Sequence, residues 1–393
     1  MPRIDVRRIA VGAALAAAAA CRGPAAPTPA PACGGAPCAW TPLVGAVDSA
    51  VRAGAAPGAV VAVSIGGARF FHQTGQLGFD EPTPISPRTV YDLASLTKVV
   101  ALTTVMMTAV DEGKVRLDEP VRTYLPEFAG GMKDRVTVRH LLTHSSGLPA
   151  HRPLWRDATD PTTARALVLA TPLDTVPGTR MVYSDLGAIT LTQILERVYR
   201  RPIDRLFQDR VASKLHLGST RFLPPSDWLG RIAPTERDPW RGRLVRGEVH
   251  DENAAFLGGV SGHAGLFSTA EDLLTFGEWL LRQRADSGHG PRIRAEVVRE
   301  FTRRQDVVAG SSRALGWDTP SPGSSAGTRL SPESFGHTGF TGTSIWLDPT
   351  RSLVVVLLSN RVNPTRDNPR LAPLRALVAD RVAEIVGERP RDR

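Results

Sequence analysis

The position of the β-strand patterns constrains the fold of this chain more than any other feature of its sequence. Residues 58–79 show the pattern of two strands joined at a Gly-Gly pair, which is a typical hairpin signal. Strand patterns return at 342–349 and 352–360, and an amphipathic helix follows at 372–388, whereas about 130–290 is mostly helix and loop. We therefore predict an α/β fold in which both chain ends build one lobe and a mainly helical lobe is inserted between them.

We expect the α/β lobe to comprise about residues 41–120 and 300–393, and the helical lobe to comprise about 121–299. A cleft between two such lobes is a common place for a ligand to bind. Within the helical part, Ser268 and Glu271 have the spacing of a capping box, which predicts that a helix begins at this serine.

The N-terminus has the composition of an export signal. Three arginines precede an apolar, alanine-rich stretch at 9–20, which is too short for a comfortable membrane span and is followed by Cys21. We therefore predict that residues 1–20 are a signal peptide and that the protein is exported, to the periplasm or the cell exterior. The Ala-Ala-Ala-Cys sequence resembles a bacterial lipoprotein processing site, although the usual leucine is missing. Membrane attachment through a lipidated Cys21 and cleavage to a freely secreted protein both stay open.

Residues 21–40 are rich in proline, alanine and glycine, and we expect them to form an extended tether. Cys33 and Cys38 lie in this segment, and an exported protein could pair them in a disulfide. Their spacing lacks the partners of a metal site, so we predict no metal here. No cysteine falls within 41–393, which excludes a cysteine nucleophile in the folded body.

The formal net charge of +9 is dispersed along the chain. No run of five basic residues and no aromatic-rich basic motif occurs, so we predict no nucleic-acid partner. A basic surface of this kind fits a loose attraction to anionic polymers of the cell envelope.

Only four of the 48 basic residues are lysines, and one of them, Lys98, stands three residues after Ser95. From Ser95 to about Asp111 the helical pattern leaves almost no polar face, which is typical of a helix buried in a large domain. Positions i and i+3 share a helix face, so the serine and lysine side chains point the same way. Serine needs a base to become a nucleophile, and a buried lysine with a lowered pKa can supply one, whereas arginine keeps its proton. The alternative is a helix-capping serine beside an ordinary lysine.

Two further motifs accompany the Ser-x-x-Lys pattern. Tyr-Ser-Asp stands at 183–185, and His-Thr-Gly stands at 337–339, directly before a predicted strand. Together the three motifs resemble the signatures of the serine β-lactamase and penicillin-binding-protein superfamily, in particular class C β-lactamases and their DD-peptidase and esterase relatives. The resemblance runs from about residue 42 to the end of the chain. It implies a β-lactamase/DD-peptidase-like fold, with an antiparallel sheet flanked by helices.

The resemblance also implies a role for each motif residue. Ser95 would be the nucleophile, Lys98 the assisting base, and Tyr183 the residue whose oxygen shuttles the proton to and from the leaving group. The backbone N–H groups of Ser95 and Phe340 would form the oxyanion hole. Thr338 would hydrogen-bond a carboxylate of the substrate.

Three more positions belong to the implied substrate site. Gly339 would allow close approach of the substrate backbone. The sequence Asn-Pro-Thr-Arg resembles the class C segment Asn-Pro-x-Arg, which implies that Asn363 and Arg366 hold the same substrate carboxylate. The alternative for these two residues is a C-terminal turn with a solvated arginine.

Asp185 and His337 depart from the family pattern, which usually has asparagine and lysine there. Asp185 brings a negative charge, and removes an amide donor, at the place where the carbonyl of an acyl side chain would bind. His337 replaces a permanent cation with a group that ordinarily titrates near neutrality, as in some DD-peptidases and esterases of the family. Both changes disfavour efficient β-lactam turnover, and we expect activity to depend on pH near neutrality through His337.

Other histidines resemble metal ligands only weakly. His140 and His144 have the i, i+4 spacing of helical ligands, but the glutamate of the zinc motif is missing and no third ligand follows. A structural role is favoured for them. A looser group of histidines and carboxylates at 250–263 fits the wall of a cleft better than a metal site.

These features favour an exported serine hydrolase that works through an acyl-enzyme on Ser95 and needs no metal or organic cofactor. The expected substrates are D-amino-acid peptides of peptidoglycan, as for a DD-carboxypeptidase, or small esters, and we expect a monomer. Two alternatives stay open. One is a class C-like β-lactamase, and the other is a penicillin-binding sensor or envelope-binding module that is acylated without turnover.

Overall fold

The computed structural model of the chain describes residues 32–33 and 36–387. The predicted signal peptide, Cys21 and most of the predicted tether lie outside the described residues, and so do the side chains of Cys33 and Cys38. Within the described part, no helix is both long enough and apolar enough to cross a membrane.

The strands of the described residues are mostly short, apart from those of the central sheet. In chain order they are β1 (Ala32–Cys33), β2 (Ala36–Pro37), β3 (Gly58–Ile65), β4 (Ala68–Gly78), β5 (Glu81–Pro84), β6 (Tyr91–Asp92), β7 (Arg221–Phe222), β8 (Arg237–Asp238), β9 (Arg243–Leu244), β10 (Leu266–Ser268), β11 (Phe335–Thr338), β12 (Ser344–Asp348) and β13 (Leu353–Ser359).

Most of the helices lie between the two groups of sheet strands. The α-helices are α1 (Thr41–Arg52), α2 (Thr104–Asp111), α3 (Val121–Tyr124), α4 (Val138–Leu142), α5 (Leu154–Asp157), α6 (Pro161–Ala170), α7 (Asp185–Tyr199), α8 (Ile203–Phe207), α9 (Glu252–Phe256), α10 (Ala270–Arg284), α11 (Ala295–Thr302) and α12 (Ala372–Gly387). Shorter 3-10 helices cover Cys38–Trp40, Gly131–Arg135 and Ser226–Arg231, and π-helical segments cover Lys98–Thr103 and Gln208–Ala212.

One six-stranded antiparallel sheet joins the two ends of the chain, in the order β11-β12-β13-β3-β4-β5. Its two middle strands, β13 and β3, come from opposite chain ends and pair from Leu353 with Ile65 to Ser359 with Ala59. The predicted hairpin of β3 and β4 turns at a Gly-Gly pair. The prediction that both chain ends build an antiparallel sheet is therefore confirmed.

Both faces of the sheet are covered, which explains why β3 and β13 are almost continuously apolar. Along β3, Val61 and Val63 pack against the helices at the two chain ends, α1 and α12. Val60 and Ala62 point to the opposite face, because successive side chains of a strand alternate, and they join the larger core that contains α10 and the buried helix after Ser95. This larger core supports the site described below.

The capping box predicted at Ser268 is wrong. Ser268 lies in β10, and its hydroxyl pairs at 2.7 Å with that of Thr220. The N-cap of α10 is Thr269, whose hydroxyl accepts from the backbone N–H of Asp272 at 3.3 Å. Serine and threonine both cap helices well, so the sequence did not distinguish two adjacent capping residues.

Candidate active site

Ser95 lies on a tight turn at the entrance to a buried helix. Three consecutive i to i+3 backbone hydrogen bonds close the turn within residues 93–98. Ala94 has a left-handed φ of 46°, which is costly for a residue other than glycine, and Asp92 accepts its backbone N–H at 2.8 Å. Between residues 89 and 107, every residue except Ser95 is buried. The fold therefore presents this serine alone from an otherwise inaccessible segment.

The ammonium of Lys98 is surrounded by oxygen atoms. Its Nζ donates to Ser95 Oγ at 2.9 Å and to the carbonyl of His263 at 3.0 Å, and it forms an ion pair with Asp185 Oδ1 at 2.7 Å. Burial opposes the charge on Lys98, but the carboxylate of Asp185 and the oxygen of Tyr183 outweigh burial and raise the pKa of Lys98 above its ordinary value. Burial acts in the predicted direction, but the predicted net lowering of this pKa is wrong, because Asp185 holds the group as an ammonium.

Asp185 is placed by the beginning of α7. Ser184 caps that helix, and its hydroxyl accepts from the backbone N–H of Gly187 at 3.3 Å. A carboxylate in the first turn of a helix is favoured by the helix dipole. From this position Asp185 contacts Lys98, so its carboxylate neutralises the lysine in addition to any contact with a substrate.

Tyr183 stands among cations and aromatic rings. The Nζ of Lys98 lies 5.0 Å from the ring centre, and the guanidinium of Arg313 lies 5.2 Å from it. The ring centres of His144 and His337 lie 4.5 and 5.8 Å away. These neighbours place the Tyr183 ring beside the Lys98 ammonium, and its buried hydroxyl has no hydrogen-bond partner among the described residues, which leaves it free to exchange a proton with a bound substrate.

His337 is buried in β11 and uncharged at neutral pH. Its Nδ1 lies 2.8 Å from the carbonyl oxygen of Thr338, so Nδ1 carries the proton and Nε2 is an acceptor. Burial, followed by the charges of Arg313 and Lys98, lowers the pKa of His337 to about 3. The prediction that His337 titrates near neutrality is therefore wrong.

The end of β11 packs directly against the turn that carries Ser95. A side chain at Gly339 would overlap the carbonyl oxygen of Leu93 and the hydroxyl of Thr343, so only glycine allows this contact. In the described part of the chain, no acceptor takes the backbone N–H of Ser95 or of Phe340. Both groups are available to an oxyanion, as the predicted oxyanion hole requires.

A cavity of about 680 Å³ opens beside Ser95. Six predicted site residues line it: Ser95, Tyr183, His337, Thr338, Gly339 and Phe340. Three arginines that the sequence did not single out also line it, namely Arg313, Arg361 and Arg375. No motif surrounds these arginines, and in a chain with 48 basic residues nothing distinguishes them.

Asn363 and Arg366 do not line the cavity, so the predicted contact with a substrate carboxylate is wrong. Asn363 is buried, and its amide group hydrogen-bonds the backbone of two other loops. Arg366 forms ion pairs with Glu236 and Glu252, each at 2.7 Å. The alternative of a turn fits the segment, but the arginine is paired rather than solvated.

The histidine pair of the helical lobe has the structural role that was favoured. His140 Nδ1 accepts from the backbone N–H of Thr137, and His144 Nδ1 accepts from that of Ser184, each at 3.1 Å. In the group at 250–263 the histidines pair with carboxylates. Across 32–33 and 36–387, no set of three or more His, Cys, Asp or Glu side chains could hold a metal ion.

Comparisons with known proteins agree with this geometry. A family model described as Beta-lactamase matches residues 45–380. A protein of Escherichia coli K12, provisionally named a D-alanyl-D-alanine carboxypeptidase, is 32% identical over 335 residues, which cover 76% of this chain and 75% of the relative. Among solved structures, a class C β-lactamase from Rhodobacter sphaeroides is 26% identical with a TM-score of 0.68, covering 87% of this chain and 98% of its own. A penicillin-binding-protein homologue from Caulobacter crescentus, 21% identical, shares the fold with a TM-score of 0.70 over 88% of this chain and 98% of its own.

Proposed function

The chain belongs to the β-lactamase family, and from this membership we propose that it is a serine hydrolase that removes the terminal D-amino acid from peptides of peptidoglycan. The observation that carries the proposal is the position of Ser95 Oγ, 2.9 Å from the Lys98 ammonium and at the edge of a cavity with a cationic wall. A terminal carboxylate beside the scissile bond is the part of such a peptide that a cationic wall attracts. The name of the Escherichia coli relative supports the same substrate class.

The proposed reaction proceeds through an acyl-enzyme. Ser95 Oγ attacks the carbonyl carbon, and the backbone N–H groups of Ser95 and Phe340 stabilise the oxyanion. The serine proton passes to the oxygen of Tyr183, which gives its own proton to the leaving nitrogen as the C–N bond breaks. Water then hydrolyses the ester on Ser95 by the reverse path.

Lys98 has a different task in this scheme from the one the sequence suggested. Because Asp185 keeps it protonated, Lys98 donates a hydrogen bond to Ser95 Oγ and does not take the serine proton. Its charge stabilises the oxygen while negative charge develops there. Tyr183 is then the residue that moves the proton.

A class C-like β-lactamase and a sensor that is acylated without turnover are the competing functions. Intact mass spectrometry of the protein with a fluorescent penicillin tests the site, with Ser95→Ala alongside. We expect an adduct on the wild type and none on Ser95→Ala. Steady release of D-alanine from a peptide ending in D-Ala-D-Ala supports the carboxypeptidase, rapid penicillin hydrolysis supports the β-lactamase, and a single equivalent of acylation without turnover supports the sensor.

We also propose that the protein is exported, as the apolar stretch at 9–20 followed by Cys21 suggests. Mass spectrometry of the protein recovered from its native host tests this. A diacylglyceryl adduct on an N-terminal Cys21 indicates a lipid anchor, an unmodified chain that begins within 20–25 indicates secretion, and an intact Met1 or Pro2 terminus contradicts export.

A further inference from the structure

Arg313, Arg361 and Arg375 line the cavity without a carboxylate partner. None of the three forms an ion pair with any residue that the structure describes, whereas most other buried or half-buried arginines do. Arg313 contacts the ring of Tyr183, and its Nε has no hydrogen-bond partner among the described residues. A charge removed from water without a counter-charge is costly, so an arrangement of this kind has a reason beyond stability.

The other two arginines are fixed to the backbone through part of their guanidinium groups. Arg361 donates from Nη1 to two carbonyl oxygens and lies over the ring of Phe340 at 4.5 Å. Arg375 donates from Nη2 to the carbonyl of Gly339 at 2.5 Å, and its Nε has no partner in the described part of the chain. Both side chains are therefore held in place, with donors still free to bind a ligand.

The residues that line the cavity do not balance its positive charge. The one carboxylate among the lining residues is Asp318, whose Oδ1 already accepts from Ser312 Oγ at 2.6 Å and from the backbone N–H of Thr319 at 3.0 Å. Burial, and then the neighbouring charge of Arg361, lower the pKa of Arg375 to about 10, as expected where two cations share a site without an anion. Three guanidinium groups and one carboxylate leave two positive charges.

We propose that the cavity binds a leaving group that carries two negative charges, such as a dicarboxylic D-amino acid, in preference to one that carries a single carboxylate. The inference rests on the proposed function in one respect, because the carboxylate next to the scissile bond places the cavity on the leaving-group side. One carboxylate would bind Thr338 and one of the three arginines, and the second anionic group would pair with the other two arginines. A carboxylate can accept two parallel hydrogen bonds from one guanidinium group, which adds geometric specificity to the attraction between the charges.

A graded series of acetate esters tests the proposal without depending on peptide cleavage. The leaving groups are phenol, 3-hydroxybenzoate and 5-hydroxyisophthalate, which carry zero, one and two carboxylates. In each case Ser95 Oγ forms a bond to the acetyl carbon, the bond between that carbon and the aryl oxygen breaks, and the phenol leaves with the proton. Each kcat/KM is divided by the rate of the same ester with hydroxide, so that intrinsic reactivity cancels.

We expect the corrected kcat/KM of the isophthalate ester to exceed that of the hydroxybenzoate ester by about tenfold or more, since charge-assisted hydrogen bonds contribute roughly this factor. Arg361→Gln and Arg313→Gln should each reduce the ratio severalfold. Arg116→Gln removes the same charge from an arginine that is 81% exposed and outside the cavity, and should leave the ratio unchanged. A ratio near one in the wild type, or a ratio that all three variants preserve, overturns the proposal.

Two additions keep the test decisive. Arg361→Gln loses backbone contacts and can fail to fold, in which case Arg313→Gln, which has no such contacts, gives the same readout. If no ester is hydrolysed, calorimetric titration of Ser95→Ala with free 5-hydroxyisophthalate and 3-hydroxybenzoate gives the same comparison from binding. If the wild type prefers the isophthalate ester as expected but cleaves no D,D-peptide, the carboxypeptidase is rejected and the dianionic site is supported. If it cleaves D-Ala-D-Ala peptides but the ratio of the two esters is near one, the carboxypeptidase is supported and the dianionic site is rejected.

Discussion

Lys98 Nζ lies 2.7 Å from Asp185 Oδ1, and the same nitrogen donates to the nucleophile Ser95 at 2.9 Å. The two charges neutralise each other inside a buried site, and the carboxylate outweighs the opposing effect of burial on the pKa of Lys98, so the lysine keeps its proton. The aspartate that departs from the family pattern therefore changes the part that the lysine plays. Family resemblance implies that Lys98 is a base, and we propose that the ion pair makes it a hydrogen-bond donor instead.

Asp185→Asn should convert Lys98 toward a titratable base. With the carboxylate removed, burial lowers the pKa of Lys98 because it disfavours the charged form, and the oxygen of Tyr183 is left to oppose that effect. We expect the rate of Ser95 acylation by a fluorescent penicillin to gain a rising limb with increasing pH that the wild type lacks. Stopped-flow rates between pH 5 and 10 measure it, with Asp157→Asn as a control at an exposed carboxylate. Superimposable profiles for Asp185→Asn and the wild type would contradict the role of the ion pair.

His337 should destabilise the protein in acid without shaping the activity near neutrality. Its folded-state pKa is about 3 and its ordinary value is 6.5, so between these values the unfolded chain binds a proton that the folded chain excludes. Stability is therefore fully present above about pH 6.5 and falls as the pH drops toward 3. Each pH unit in this window costs up to about 1.4 kcal/mol from one such group. Urea unfolding of His337→Gln at pH 7 and 4.5 should show a smaller loss than the wild type.

The control for this measurement is His151→Gln, because His151 is exposed. It should keep the full loss of stability on acidification. A buried His144, whose pKa is lowered by burial and then by the charge of Arg313, remains in every variant and contributes its own loss. Equal slopes for His337→Gln and the wild type would show that folding does not lower the pKa of His337.

The sequence predicted the sheet and the catalytic motifs because both are local patterns. β3 and β13 are almost continuously apolar. Ser95 and Lys98 are three residues apart, so the 3.6-residue period of a helix already places them together. The Asp185 contact with Lys98 joins residues far apart in the chain, and no periodicity reports such a contact. For the same reason, burial alone suggested the wrong direction for the pKa of Lys98.

Long-range pairing also explains the error at Arg366. The local sequence Asn-Pro-Thr-Arg matched a substrate-binding segment, but Glu236 and Glu252 from another part of the chain neutralise the arginine. The cavity arginines are the reverse case, because no local motif indicates them although they form part of the site. Arg313, Arg361 and Arg375 lie on three separate segments, and only the folded chain brings them to one wall.

Arg366→Gln should reduce stability more than catalysis. The substitution leaves the carboxylate of Glu236, which is 5% exposed, with His250 and the backbone N–H of residue 366 as its remaining partners. Removing one member of a buried ion pair costs about 3 to 5 kcal/mol, and the exposed part of Arg366 places the expectation at the lower end. Denaturant unfolding measures the loss, and the KM for an ester substrate should stay within about twofold. A large rise in KM with unchanged stability would restore the predicted contact with substrate.

Alanine substitutions at two closely packed glycines, Gly339 and Gly336, test the contact between the end of β11 and the Ser95 turn. Gly339→Ala places a Cβ against the carbonyl oxygen of Leu93, so β11 and the turn must separate and the two oxyanion donors with them. Gly336→Ala, three residues earlier, meets the carbonyl of Ile345 and the ring of Trp346 instead of the Ser95 turn. Overpacking costs about 1 to 3 kcal/mol at either site.

The two glycine variants should differ in their rate of Ser95 acylation, although they lose similar amounts of stability. A displacement of about 1 Å in a catalytic group can cost on the order of a hundredfold in rate. We therefore expect Gly339→Ala to slow Ser95 acylation by one to two orders of magnitude and Gly336→Ala to retain most of it, both measured at a temperature where each variant is folded by circular dichroism. Equal slowing in both would mean that general loosening of β11 lowers the rate. If Gly339→Ala is acylated at the wild-type rate, the Phe340 N–H does not belong to the oxyanion hole, because this group is displaced when the strand moves.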